Sequence, residues 1–258
     1  MKYWKAHFKD QFHNEEITII NNEEGNNSLS FELDGIKFSG NCPHDFSLED
    51  ENQCEEAMKK FRFIRHGGYN EMLDMNSPYC YDLQRYSLNV EIPLTLLRKK
   101  DNFRIEGTIH IAFSMKEYDS NIPKCRYSCD NEFVYGDDII VHNFYICVDN
   151  ERFDSDKQTL YFETALNDIS EKMKEKYCIM SCFTCQYSEY SPYGNDDFGM
   201  MLCYKDYKEE CIKVNSKDDY FELLENKNFD IRQETYLCSE YEPRIHSLGY
   251  RGFVTGVK

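Results

Sequence analysis

The stretch Tyr86-Ser87-Leu88-Asn89-Val90-Glu91-Ile92 decides the fold class, together with Phe103-Arg104-Ile105-Glu106-Gly107-Thr108-Ile109-His110-Ile111-Ala112-Phe113 beyond the turn Arg98-Lys99-Lys100-Asp101-Asn102. Tyr86, Leu88, Val90 and Ile92 alternate with polar residues, and Phe103, Ile105, Ile109, Ile111 and Phe113 resume the alternation. Successive strand side chains point to opposite faces, so the pattern predicts an antiparallel pair with one buried and one wet face. Upstream, Leu29-Ser30-Phe31-Glu32-Leu33 and Ile36-Lys37-Phe38 flank Asp34-Gly35, a strong hairpin cue because both turn positions tolerate positive φ. Downstream, a third strand runs over 138–148 and closes at Asp149-Asn150. The first 150 residues therefore read as antiparallel β, sandwich-like once the strand at 29–38 joins.

Helical signals are fewer. Ser47-Leu48-Glu49-Asp50 offers an N-cap with an acid three residues on, and Cys54, Ala57, Met58 and Phe61 follow at helical spacing before Gly67-Gly68. This predicts a helix over about 48–61, although Phe61-Arg62-Phe63 could equally start a strand. Over 161–177, Phe162, Ala165, Leu166, Ile169, Met173 and Tyr177 share one face of an amphipathic helix. A cysteine-rich turn region comes next, then a strand pair at about 200–204 and 211–214, a short helix over 218–224 and an irregular tail with Gly249, Gly252 and Gly256. The expected fold class is α+β: a β-rich part over 1–150, then the amphipathic helix and a small Cys-rich α+β part over 151–258, which can pack as one domain.

With 258 residues, 41% of them hydrophobic and 15% aromatic, there is enough apolar mass to offset chain entropy, which excludes a disordered chain. Lys and Arg number 30 against 47 Asp and Glu, a formal charge of −17 that should repel nucleic acid. The same charge serves solubility or steers a basic partner. The opening Met1-Lys2-Tyr3-Trp4-Lys5-Ala6-His7-Phe8 has no apolar leader core, and no run approaches the roughly 18 apolar residues of a membrane span. The expectation is a cytoplasmic protein with no membrane partner. Its twelve cysteines are then thiols, metal ligands or core residues rather than a disulfide framework.

The densest chemical feature is Cys182-Phe183-Thr184-Cys185, with Cys178 upstream and Cys203 and Cys211 downstream. Two thiolates separated by two residues can face one tetrahedral ion, and a second pair returned by a hairpin would complete a structural zinc site. The second pair is spaced by seven residues rather than two, so buried thiols and a redox pair stand as alternatives to zinc; no cation flanks the motif to favour a reactive thiolate. The candidate metal ligands are Cys182, Cys185, Cys203 and Cys211. Beside them Tyr187, Tyr190 and Tyr193 surround a Pro-Gly turn, where tyrosine offers contact area at low entropy cost; they are the candidate partner-binding residues.

The stretch Cys182-Phe183-Thr184-Cys185-Gln186-Tyr187-Ser188-Glu189-Tyr190-Ser191-Pro192-Tyr193-Gly194-Asn195, with Cys203 and Lys208-Glu209-Glu210 after it, resembles the signature of a family of uncharacterised bacterial proteins of about this length. The resemblance supports the site and implies no reaction. Elsewhere, Tyr135-Gly136-Asp137-Asp138 imitates a polymerase metal hairpin but lacks the third carboxylate and basic channel, and reads as a hairpin tip. The seven histidines include no i, i+4 pair, and no nucleophile elbow, P-loop or dinucleotide fingerprint occurs, so no catalytic residue is assigned. The expected function is an acidic binding protein, immunity- or antitoxin-like, neutralising a basic toxin or nuclease domain. The alternatives are an assembly subunit of a bacterial complex, or a metal-dependent enzyme with His110 or His142 near the cysteines.

Overall fold

A computed structural model describes residues 1–23, 27–67, 79–116, 139–190 and 198–244. The chain opens with β1 (Lys2–Lys9) and β2 (Asn14–Asn21), followed by β3 (Leu29–Leu33), β4 (Ile36–Gly40), β5 (Ser47–Leu48), helix α1 (Cys54–Lys60), β6 (Arg62–Gly67) and β7 (Tyr79–Gln84). The long strands β8 (Ser87–Arg98), β9 (Phe103–Met115) and β10 (Ile139–Val148) come next, then β11 (Glu151–Asp154), helix α2 (Phe162–Met173) and β12 (Tyr177–Ile179). The last described elements are β13 (Ser188–Glu189), β14 (Met201–Cys203), helices α3 (Lys208–Lys213) and α4 (Lys217–Asn226), and β15 (Asp230–Arg232).

The class is α+β and strand-rich. Eleven strands follow one antiparallel path, β11-β10-β9-β8-β1-β2-β3-β4-β5-β7-β6, with β12 paired to β8; β13, β14 and β15 form a small second sheet. The deciding stretch folds in the register its alternation requires, from Ser87 opposite Ser114 to Arg98 opposite Phe103. Two-residue turns close two hairpins with both residues at positive φ: Asp34 at 52° with Gly35 at 76°, and Asp149 at 47° with Asn150 at 63°. That backbone twist matches the right-handed twist of the flanking strands, which is why Asp, Asn and Gly occupy these positions.

Buried aromatic rings fill one face of the sheet. Phe8 stacks on Tyr86 at 5.5 Å, Phe38 sits edge-on to Phe61 at 4.9 Å, and Phe31 packs against Phe38 and Phe46 at 4.8 Å each. Helix α2 covers this core with Phe162, Ala165, Leu166, Ile169 and Met173, as its spacing predicted, but it stops at Met173, and Tyr177, expected on its last turn, opens β12 instead. Phe162 meets Phe144 at 5.2 Å and Phe198 at 4.7 Å, and Phe198 meets Trp4 at 5.5 Å, so the segment past residue 198 shares the same core. A smaller cluster of Leu202, Tyr204, Cys211, Val214, Tyr220 and Leu223 lies under α3 and α4.

Three local expectations change. The helix expected over about 48–61 is confined to a 3-10 turn at Glu51–Gln53 and α1, because Asp50 rather than Ser47 caps it by accepting from Asn52 N–H. Ser47 instead bonds Asp82 at 2.8 Å, and Leu48 pairs with Phe38 in the sheet. The strand expected at 211–214 is helical: in α3 Cys211 is the buried residue and Ile212 is exposed, a one-sided pattern that suits a short helix. The strand expected at 200–204 does form, and pairs with β13 and β15. The 218–224 helix is α4, extended by a capping box in which Ser216 and Asp219 bond each other's backbone N–H groups. The Tyr135-Gly136-Asp137-Asp138 hairpin tip and the glycine-bearing tail lie outside the described residues.

Candidate functional site

Cys182 and Cys185 bracket a 3-10 turn closed by Cys185 N–H donating to the Cys182 carbonyl at 3.1 Å. A later segment runs alongside this turn. Cys182 N–H donates to Tyr236 O (2.7 Å), Phe183 N–H to Glu234 O (3.2 Å), Gln186 N–H to Glu242 O (2.8 Å), and Arg244 N–H to Thr184 O (2.9 Å). Cys238 lies in the bend of that segment, where Tyr241 N–H donates to its carbonyl at 3.4 Å. Cys203 arrives on β14, opposite Ser188 of β13. Arg244 fastens the turn from within: it is buried, donates to the Cys185 carbonyl at 3.2 Å and pairs with buried Glu189 at 3.0 Å.

Burial pushes the Cys182, Cys185 and Cys203 thiols above their ordinary value, Cys182 most of all, because a thiolate loses hydration there. Cys238 lies near enough to Cys182, Cys185 and Cys203 to oppose their ionisation as well. The structure thus gathers Cys182, Cys185 and Cys203, adds Cys238, and places Cys211 in the second apolar cluster. Among the described residues no three His, Cys, Asp or Glu side chains are arranged to hold a metal ion as they stand.

The two described tyrosines direct their hydroxyls inward. Tyr187 is 6% exposed, donates its hydroxyl to Glu242 at 2.8 Å and carries the Lys208 ammonium 4.8 Å over its ring. Tyr190 donates to Glu234 at 3.0 Å, and Tyr193 lies outside the described residues. Glu234 is fully buried; burial pushes its carboxyl up to about 8, against the opposing pull of the Gly199 N–H, which donates to it at 2.7 Å.

On the wet face of the sheet lies a groove of about 310 Å³ that sequence reading did not assemble. Cross-strand register builds it: His7 stands between Glu16 and Asn89, and Asn89 faces Ala112, which faces Asn143. One row along, Lys5 faces Glu91, Glu91 faces His110, and His110 faces Tyr145. Ala112 is 8% exposed, and its small side chain leaves room at the floor. His7 bonds Glu16 at 2.8 Å and Asn14 at 3.0 Å, contacts that raise its proton affinity. Burial lowers that of His110, which stacks on Tyr145 at 4.7 Å, with the Arg152 guanidinium 3.6 Å over the other ring. At the groove's end a bulge between Val141 and Asn143 leaves His142 as the extra residue, its Nε2 2.7 Å from Ser114 Oγ. The signal was present in the polar positions of the alternation, which name the wet face; which of them meet depends on register.

Fold and site together define a strand-rich α+β protein with a cysteine-bearing turn stitched to a distant segment and a polar groove on its sheet. The chain belongs to a family of unknown function (DUF6304), whose model matches residues 2–188, in line with its resemblance to an uncharacterised domain. No curated protein and no solved structure matches it. Among the described residues no helix is long and apolar enough to cross a membrane.

Proposed function

We propose that the protein binds a basic protein partner in an immunity- or antitoxin-like role. The observation that carries this reading is where the charge lies. Among the described residues Glu189 and Glu234 are the buried acidic residues, and most other carboxylates there face solvent. An acidic surface speeds encounter with a basic partner, and salt screens the effect. The groove supplies a contact of matching chemistry: the Glu16 and Glu91 side chains are 78% and 51% exposed, and Asn89, Asn143 and Tyr145 stand ready for the stem and head of a Lys or Arg.

The test is affinity capture from the cells that make the protein, at low and high salt, followed by association kinetics with the purified captured protein. The reading expects a stoichiometric basic partner whose association slows at least tenfold with salt and with Glu16→Lys/Glu91→Lys, but little with Glu55→Lys/Glu175→Lys, on α1 and in the turn after α2. Association indifferent to salt and to the groove pair would overturn it.

A further inference from the structure

We propose that the chain holds one zinc ion on four thiolates, Cys182, Cys185, Cys203 and Cys238, with Cys211 outside the set. This site is independent of the binding role above.

Three segments far apart in sequence converge: the 3-10 turn carrying Cys182 and Cys185, the strand β14 carrying Cys203, and the bend carrying Cys238. They are tied by the bonds from Cys182 to Tyr236, from Gln186 to Glu242, from Arg244 to Thr184 and from Tyr204 N–H to Tyr187 O (2.8 Å). A bridge between Cys185 and Pro243 adds to them. Cys211, eight residues past Cys203, packs instead beside Leu202, Tyr204, Val214, Tyr220 and Leu223. Spacing along the chain favours Cys211, and the fold favours Cys238.

The donor set decides the metal. Four soft sulfur donors and no open position suit a closed, tetrahedral, structural zinc site. The thiols as placed do not converge on one point. Closure on one ion therefore requires the thiol side chains to move to other staggered rotamers. Burial disfavours the thiolate form of Cys182, Cys185 and Cys203 in the absence of a cation, and a divalent ion reverses that balance. Four S–Zn bonds form, four S–H bonds break, and the protons leave to solvent. Arg244, holding the Cys185 carbonyl and the Glu189 carboxylate, keeps the turn in place for this.

The experiment uses the full chain, purified under reducing conditions without chelator. Metal analysis should give one zinc per chain, and cobalt(II) added to chelator-stripped protein should give the strong visible absorption of tetrahedral thiolate coordination at one equivalent. Cys238→Ser should weaken cobalt affinity at least 100-fold, whereas Cys211→Ser should leave stoichiometry and spectrum unchanged. Because Cys238→Ser could fail to fold, Cys238→His serves as a second variant: it should still bind one cobalt, with the bands shifted by the exchange of sulfur for nitrogen. Wild-type protein without bound metal, a disulfide among the four thiols in its place, a Cys238→His spectrum identical to wild type, or loss of binding in Cys211→Ser alone would each overturn the proposal.

Discussion

Asn21 and Gln233, 212 positions apart, form a reciprocal amide pair inside the protein, and its removal has a calculable consequence. Asn21 Nδ2 donates to Gln233 Oε1 at 2.7 Å, and Gln233 Nε2 donates to Asn21 Oδ1 at 2.8 Å and to Ser28 Oγ at 2.9 Å. All three residues are buried, at 1%, 3% and 6% exposure in the order Asn21, Gln233, Ser28. Gln233→Leu removes these bonds and strands the Asn21 amide N–H and the Ser28 hydroxyl, while Asn21 Oδ1 keeps its bond from Glu23 N–H at 2.7 Å. A buried polar group without its partner costs about 1–3 kcal/mol, so two of them predict a loss of roughly 2–6 kcal/mol. Replacing both partners by apolar groups removes most of that penalty, and Asn21→Leu/Gln233→Leu should lose about 2 kcal/mol less than the sum of the single variants. Urea unfolding followed both by far-UV dichroism and by the fluorescence of Trp4, the chain's one tryptophan, measures this. Singles that each lose under about 0.5 kcal/mol, or a cycle that closes additively, would refute the reasoning.

Two further predictions follow from the core and from the buried carboxyl. Phe8→Ala empties a site ringed by His13, Phe31, Phe61 and Tyr86 and should cost about 3–5 kcal/mol in urea unfolding; a loss under 1 kcal/mol would mean the cluster repacks freely. Glu234, pushed to about 8 in the fold from an ordinary value of 4.5, binds its proton more tightly folded than unfolded. Its contribution is therefore complete below about pH 4.5 and is lost as pH rises through 8. Relative to Glu234→Gln, which does not titrate, wild-type stability should fall by roughly 1.4 kcal/mol per pH unit between about pH 5 and 8; parallel stability curves would contradict it.

How much of this was legible in the sequence depends on the range of each interaction. The β8–β9 pair and the Asp34-Gly35 hairpin rest on alternation and turn chemistry within a few residues, and both fold as read. So does the apolar face of α2 from Phe162 to Met173, though not Tyr177. The misreadings occur where distant contacts overrule local ones. Ser47 reads as a helix cap until Asp82 supplies a strand partner, and the 211–214 stretch reads as a strand until Cys211 finds the pocket beneath α4. Cys238 carried no signal at all, since its distance along the chain from Cys203 matches no metal-ligand spacing. Likewise, each residue of the wet groove is an ordinary polar strand position until register sets His7 beside Glu16 and His110 beside Tyr145.

The reach of the family match sharpens the same point. It ends at residue 188, in β13, a two-residue strand whose only partner among the described residues is β14. Past that boundary the chain supplies Phe198 to the rings of Trp4 and Phe162, Gln233 to the buried amide of Asn21, and Glu234, Tyr236 and Glu242 as backbone acceptors for the Cys182 turn. Without them Trp4 would lose a packed neighbour, the Asn21 amide N–H would be stranded, and three N–H groups of the turn would lack acceptors. Each of these losses falls on a residue inside the matched range. The matched segment and the one that follows it are therefore held by shared burial and shared hydrogen bonds, and the physical unit runs at least to Arg244, whose guanidinium closes on the Cys185 carbonyl.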